Sequence, residues 1–128
     1  MNQAAVLVVE DDDDIRHSTT ELLKAAGYRG LEAANGREAL AKLSELAQPC
    51  VVILDIMMPV MDGLEFMEEL AKTDRLRQLN ILILTASPIL CVGRAVTAGV
   101  PVLPKPCSAA RLLELVHERL SPPLTPAS

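Results

Sequence analysis

Five short apolar runs alternate with amphipathic stretches, and this alternation constrains the fold more than any other feature of the chain. Ala5–Val9, Cys50–Leu54 and residues 81–84 are continuously apolar, and weaker runs occupy 31–34 and 100–103. Strands that are apolar throughout, instead of at every second residue, are those covered on both faces. Between them, residues 15–26 put Ile15, Leu22, Leu23 and Ala26 on one helical face, with Gly27 as a stop. Asn35 is placed to cap a second helix bearing Ala39, Leu40, Leu43 and Leu46. Asp62 is placed to cap a third over Gly63–Ala71, bearing Leu64, Met67 and Leu70. Pro88 opens a fourth that Gly99 closes. Ser108 caps a fifth over Ala109–Leu120, with Leu112, Leu113, Val116 and Leu120 inward. A β-α unit repeated five times predicts an α/β fold, a parallel sheet with helices on both faces.

At 128 residues the chain is the size of one domain, assigned to 1–120, with a proline-rich tail or linker at 121–128. Half of it is hydrophobic, yet Tyr28 and Phe66 are its only aromatic residues, so the core must be aliphatic. A net charge of −5 leaves no basic footprint for nucleic acid. Cys50, Cys91 and Cys107 are odd in number and form no CxxC pair, so the spacing suggests neither a disulfide framework nor a zinc site and fits a reducing cytoplasm. The N-terminus has no signal-peptide pattern. No apolar stretch approaches the ~20 residues of a membrane span.

In an open α/β sheet the binding site lies outside the carboxyl ends of the strands. There the first run delivers Glu10 and Asp11, the third Asp55, the fourth Thr85 and the fifth Lys105. Carboxylates so crowded need a cation. An all-oxygen set suits a hard ion such as Mg²⁺. Such an ion, an ammonium and a hydroxyl can hold a phosphoryl group, and one carboxylate can be its acceptor, forming an acyl phosphate.

Four fragments in order, VLVVEDDDDIR, DIMMPVMDGLEF, LTAS and KP, make the chain resemble the receiver domain of two-component response regulators over about residues 5–120. The resemblance implies a flavodoxin-like (βα)5 fold with strand order 2-1-3-4-5. It implies that Asp55 accepts a phosphoryl group from a phosphohistidine of a sensor histidine kinase or a histidine phosphotransfer protein. It further implies that Glu10, Asp11, Asp55 and the backbone carbonyl of Met57 surround Mg²⁺ (or Mn²⁺), with Asp11 a direct ligand. Thr85 matches the switch hydroxyl, Ala86 the small residue beside the phosphoryl group, and Lys105 the pairing lysine, joined to Pro106 by a cis bond. Such a domain is a cytoplasmic signalling switch that assists only its own phosphorylation and dephosphorylation. Its state controls an output domain, or a homodimer formed through the fourth helix, fifth strand and fifth helix.

The chain departs from that pattern at several points. Val102 stands where receivers often carry an aromatic residue that turns inward as the threonine moves, and Pro101 and Pro104 flank the last strand. Proline belongs at a strand end or an edge. The fourth helix carries Ile89, Leu90, Val92, Ala95, Val96 and Ala98 with Arg94 as its sole charge. Deeper burial and a partner surface are both open readings of it. Met57 and Ser87 occupy positions that modulate attack by water in the family, Met58 is read as packing inward, and His17 and His117 as solvated helix positions. Two rival functions stand beside the receiver: a docking module that takes no phosphate, and an aspartyl-phosphate phosphatase of the haloacid-dehalogenase kind. The five acids 10–14 divide on this reading. Glu10 and Asp11 face the metal, Asp12 caps the first helix, and Asp13 and Asp14 fill its first turn, where helix N-termini favour anions.

Overall fold

The computed structural model describes residues 4–45, 50–73, 79–94, 97 and 99–120. Its elements run β1 (Ala5–Val9), α1 (Asp13–Ala25), β2 (Arg29–Ala33), α2 (Gly36–Ser44) and β3 (Cys50–Leu54). There follow α3 (Gly63–Ala71), β4 (Asn80–Thr85), a 3-10 turn (Pro88–Cys91), β5 (Val102–Pro104) and α4 (Ala109–Leu120). The strands form one sheet in the order β2-β1-β3-β4-β5, all neighbours parallel. This is the flavodoxin-like order the sequence resemblance implies.

Alternate residues of the central strands point to opposite layers, which is why the strands are apolar throughout. Leu7, Val9, Val52, Leu54 and Ile83 pack with Ala39 and Leu43 of α2 and Phe66, Met67 and Leu70 of α3. Val6, Val8, Val51, Ile53 and Leu82 pack on the other side with Leu23 of α1 and Leu112, Leu115 and Val116 of α4. Leu23, Phe66 and Met67 are fully buried. Burial of a side chain of that size stabilises the fold by about 1.5–3 kcal/mol.

The helix starts follow the capping chemistry. Asp12 Oδ1 accepts the Ile15 amide at 3.0 Å, and Asn35 Oδ1 accepts that of Glu38 at 2.9 Å. Asp62 and Glu65 form a reciprocal capping box. Ser108 Oγ accepts the Arg111 amide at 3.1 Å.

Several expectations need correction. The first helix starts at Asp13 with Asp12 as its cap, as the division of the five acids expects, and ends at Ala25, one residue before Ala26. Ile15 and Ala26, expected inward, are exposed at the two ends of α1. At 1.5 Å per residue, a 13-residue helix overhangs a five-residue strand. Leu64, Leu113 and Leu120 are half-buried. The second strand starts earlier than expected, at Arg29, and the fifth later, at Val102.

The largest difference is the fourth helix. Pro88 opens only a 3-10 turn, Ser87 makes no side-chain cap bond, Val92 is extended (ψ 128°) and Gly93 is left-handed (φ +75°). A β-branched residue followed by glycine interrupts the helix that the apolar spacing alone suggested. Of its apolar residues Cys91 is buried, whereas Ile89 is 75 %, Val92 72 % and Leu90 40 % exposed, so these three present a surface. The expectations for Leu46, for Ala95, Val96 and Ala98, and for the tail at 121–128 lie outside the described residues.

Candidate functional site

The functional side chains sit just past the carboxyl ends of adjacent strands, and backbone bonds carry the ladder one residue further to hold them. The Glu10 amide donates to the Ala33 carbonyl, and the Asp55 amide to that of Val9, each at 3.0 Å. The Lys105 amide donates to the Thr85 carbonyl at 2.9 Å. Parallel strands in register thus bring residues separated by up to 95 positions to one edge.

Glu10 and Asp55 are buried, and Asp11 is exposed at the mouth. One carboxylate oxygen from each of the three lies within 4.8 Å of the others. Lys105 Nζ bonds Glu10 Oε1, and reaches Asp55 Oδ2 at 3.1 Å. Burial alone would lower the Lys105 pKa, but the bonds to Glu10 and Asp55 outweigh it and hold the ammonium above its usual value. Partial desolvation at the mouth raises the Asp11 pKa, and a hydrogen bond and repulsion from Glu10 raise it further. The cluster of Glu10, Asp11 and Asp55 is thus bonded by one described cation, Lys105. That deficit, with oxygen the sole donor type, fits a hard divalent ion.

Thr85 is fully buried, and its Oγ1 accepts the Ser87 amide at 3.1 Å. Ala86 is exposed beside it, and Val102 is half-buried against the core. The Met57 amide donates to Asp55 Oδ1 at 3.2 Å. The Met57 side chain is 56 % exposed, and its sulfur accepts the Ser87 hydroxyl at 3.4 Å, linking the loops after β3 and β4. Met58 is half-buried against the core, as expected. The Lys105-Pro106 bond is cis.

Gly63 explains part of the DGLEF motif. A Cβ there would meet the Asp55 carbonyl oxygen at 2.6 Å and Ile56 Cα at 2.8 Å, and the Gly63 amide donates to the Ile56 carbonyl at 2.9 Å. Helix α3 thus starts against the strand end that presents Asp55.

The family model for the response regulator receiver domain matches residues 6–117 of this chain. The chain belongs to the response regulator receiver family. Among curated relatives, this receiver is 36 % identical over 118 residues to the sensor kinase CckA of Brucella abortus, covering 91 % of this chain and 12 % of that kinase. It is 31 % identical over 114 residues to the chemotaxis protein CheY of Thermotoga maritima, covering 88 % of this chain and 94 % of CheY. Other curated relatives are longer, and the receiver spans between 33 % and 56 % of them. Among solved structures, the response regulator TrrA of Thermotoga maritima in complex with Mg²⁺-BeF superposes with a TM-score of 0.79 at 32 % identity, covering 92 % of this chain and all of TrrA. Among the described residues no helix is long and apolar enough to cross a membrane.

The receiver thus brings together Glu10, Asp11, Asp55 and Lys105, with Met57 tied to Asp55 by its amide. Thr85 ends the neighbouring strand β4, Ala86 follows it, and Val102 packs against the core. Sequence reasoning passed over Arg16, Glu32 and the close approach at Gly63. The Asp13–Arg16 spacing, three apart on one helical face, was a readable signal for the first. Glu32 comes from β2 and carried none.

Proposed function

We propose that this receiver accepts a phosphoryl group on Asp55 from a phosphohistidine of a sensor histidine kinase or histidine phosphotransfer protein. The observation that carries the reading is the meeting of Glu10, Asp11 and Asp55 within 4.8 Å, with Lys105 bonded to two of them. A carboxylate oxygen of Asp55 forms a P–O bond as the P–N bond to the donor imidazole breaks. Glu10, Asp11, Asp55 and the Met57 carbonyl would hold Mg²⁺ (Mn²⁺ is the alternative hard ion), which supplies charge neutralisation for the transferred group. Lys105 releases Asp55 to pair with a phosphoryl oxygen, and the Thr85 hydroxyl turns from the Ser87 amide toward another, beside the small Ala86.

The displacement of Thr85 favours a second arrangement of the adjoining 3-10 turn and β5. With Val102 in place of an aromatic ring, the signal passes through the β4–β5 connection and the exposed Ile89, Leu90 and Val92. The recipient is an output domain or partner on that face. The TrrA complex with Mg²⁺-BeF supports this reading by likeness.

The test is treatment with acetyl phosphate and Mg²⁺, followed by intact mass spectrometry of wild type and Asp55→Asn. The wild type gains a phosphoryl adduct and the variant none. An adduct of equal yield in Asp55→Asn, or none in the wild type, overturns the reading.

A further inference from the structure

Arg16 lies one turn past Asp12 in an acid-rich segment, yet its side chain is only 11 % exposed. Its guanidinium donates from three nitrogens to three elements. Nη1 reaches the backbone carbonyl of Glu10 at 2.9 Å, beyond the end of β1. Nε reaches Glu32 Oε1 on β2 at 3.0 Å, and Nη2 reaches Asp13 Oδ1 in the first turn of α1 at 2.6 Å. The same Glu32 oxygen lies 2.7 Å from His17 Nδ1. Arg16 is thus a cation just past the acid run, anchored by Glu32 of β2.

The Glu10 carbonyl belongs to the peptide that links Glu10 to Asp11. That peptide's plane decides the direction in which the two successive carboxylates leave the backbone. The Glu10 amide is fixed to the Ala33 carbonyl, and its carbonyl to Arg16. A guanidinium is a rigid planar fork, so its bond to the half-buried Glu32 aims Nη1 at the Glu10 carbonyl, while the bond to the exposed Asp13 adds little.

We propose that Arg16, braced by Glu32, is a positioning residue that orients the Glu10–Asp11 pair for divalent cation binding. This rests on the metal-dependent receiver reading. Arg16 touches neither the metal nor the phosphoryl group. It acts through one peptide plane, as outer partners of metal ligands do. Lysine keeps the charge but cannot engage three acceptors in one plane, so Arg16→Lys separates geometry from charge.

The experiment measures Mg²⁺ affinity by calorimetry for the full chain and for Arg16→Lys, Arg16→Ala, Glu32→Gln and Asp13→Ala. Thermal midpoints and the Asp11 amide resonance of the metal-free proteins are followed in parallel. Arg16→Lys weakens Mg²⁺ binding on the order of tenfold while remaining folded, and Glu32→Gln shows a smaller loss in the same direction. Asp13→Ala, which removes the most exposed of the three acceptors, stays within about twofold of wild type. The Asp11 resonance moves further in the Arg16 and Glu32 variants than in Asp13→Ala. Affinity and resonance unchanged in Arg16→Lys, with only the melting midpoint lowered, would reduce Arg16 to a structural tie and overturn the inference. Should Arg16→Ala fail to fold, Arg16→Lys and Glu32→Gln decide alone. A wild type that binds no Mg²⁺ overturns the metal reading together with this one, whereas wild-type binding with an unaffected Arg16→Lys overturns this one only.

Discussion

The turn after β3 and the connection after β4 leave the same edge of the sheet, and each starts from a site residue, Asp55 or Thr85. Both expose large apolar side chains, Met57 and Val60 on the first, Ile89 and Val92 on the second. They are built in opposite ways. The first is tied by the Gly63 amide on the Ile56 carbonyl, the Gly36 amide on the Met61 carbonyl and the Asp62–Glu65 capping box. The second has a short 3-10 turn without a side-chain cap, then left-handed glycines at 93 and 99. Moving the first breaks backbone bonds that join it to the starts of α2 and α3, whereas the described backbone bonds between Ser87 and Val100 close within the second connection itself. The loop that presents Asp55 is thus tied across elements, and the one that follows Thr85 is tied to itself.

Two glycines probe that contrast most severely. Gly63→Ala forces a Cβ onto backbone atoms of Asp55 and Ile56, and should destabilise the protein on the order of 3 kcal/mol in urea denaturation. Gly93→Ala meets no atom within 4 Å and carries only the cost of its positive φ, about 1 kcal/mol. Equal costs would mean that the two turns are held alike. At the next scale, Asp62→Ala removes the capping box and should cost about 1 kcal/mol. Ser87→Ala removes no cap and should stay within about 0.5 kcal/mol in the same assay.

The smallest effect lies between the turns, in a cleft of about 540 Å³ lined by Asp11, Met57, Pro59, Asp62, Leu90 and Arg94. Partial desolvation there, with a hydrogen bond and repulsion from Glu10, raises the Asp11 carboxyl above its ordinary value of 3.8. The folded state then holds that proton more tightly than the unfolded state. The contribution of Asp11 to stability is accordingly best below its unfolded pKa, and declines as pH rises through the raised folded value. In metal-free buffer at neutral pH, Asp11→Asn should melt at a higher temperature than wild type, and the gap should close as pH falls below 3.8. A wild type that melts higher at neutral pH would show that Asp11 is not strained by its neighbours.

Much of the fold was legible because its signals are local. Continuous apolar runs give buried strands, and Asp12, Asn35, Asp62 and Ser108 announce the helix starts they make. The pocket was legible because a parallel sheet must collect the residues that follow its strands. The fourth helix misled because Ile89, Leu90, Val92, Ala95 and Val96 repeat at helical spacing, while the stop at Val92-Gly93 depends on a glycine φ that spacing does not encode. Arg16 was missed for another reason: its acceptors on β1 and β2 become neighbours only once the strands pair. The rule that glycine serves positive φ also hides Gly63, whose constraint is the backbone packed against it.

The short edge strand β5 has one further consequence. The Ile83 amide bonds the Pro101 carbonyl, and the Lys105 amide the Thr85 carbonyl, so residues 101 and 105 direct their backbone groups to β4. Alternation turns residues 102 and 104 outward, and Pro104 has no amide proton to offer. The open side of the strand therefore presents a single outward N–H, that of Val102. A strand from another molecule finds no ladder there to extend, so proline at this position guards a crowded solution of receivers against edge-to-edge polymerisation.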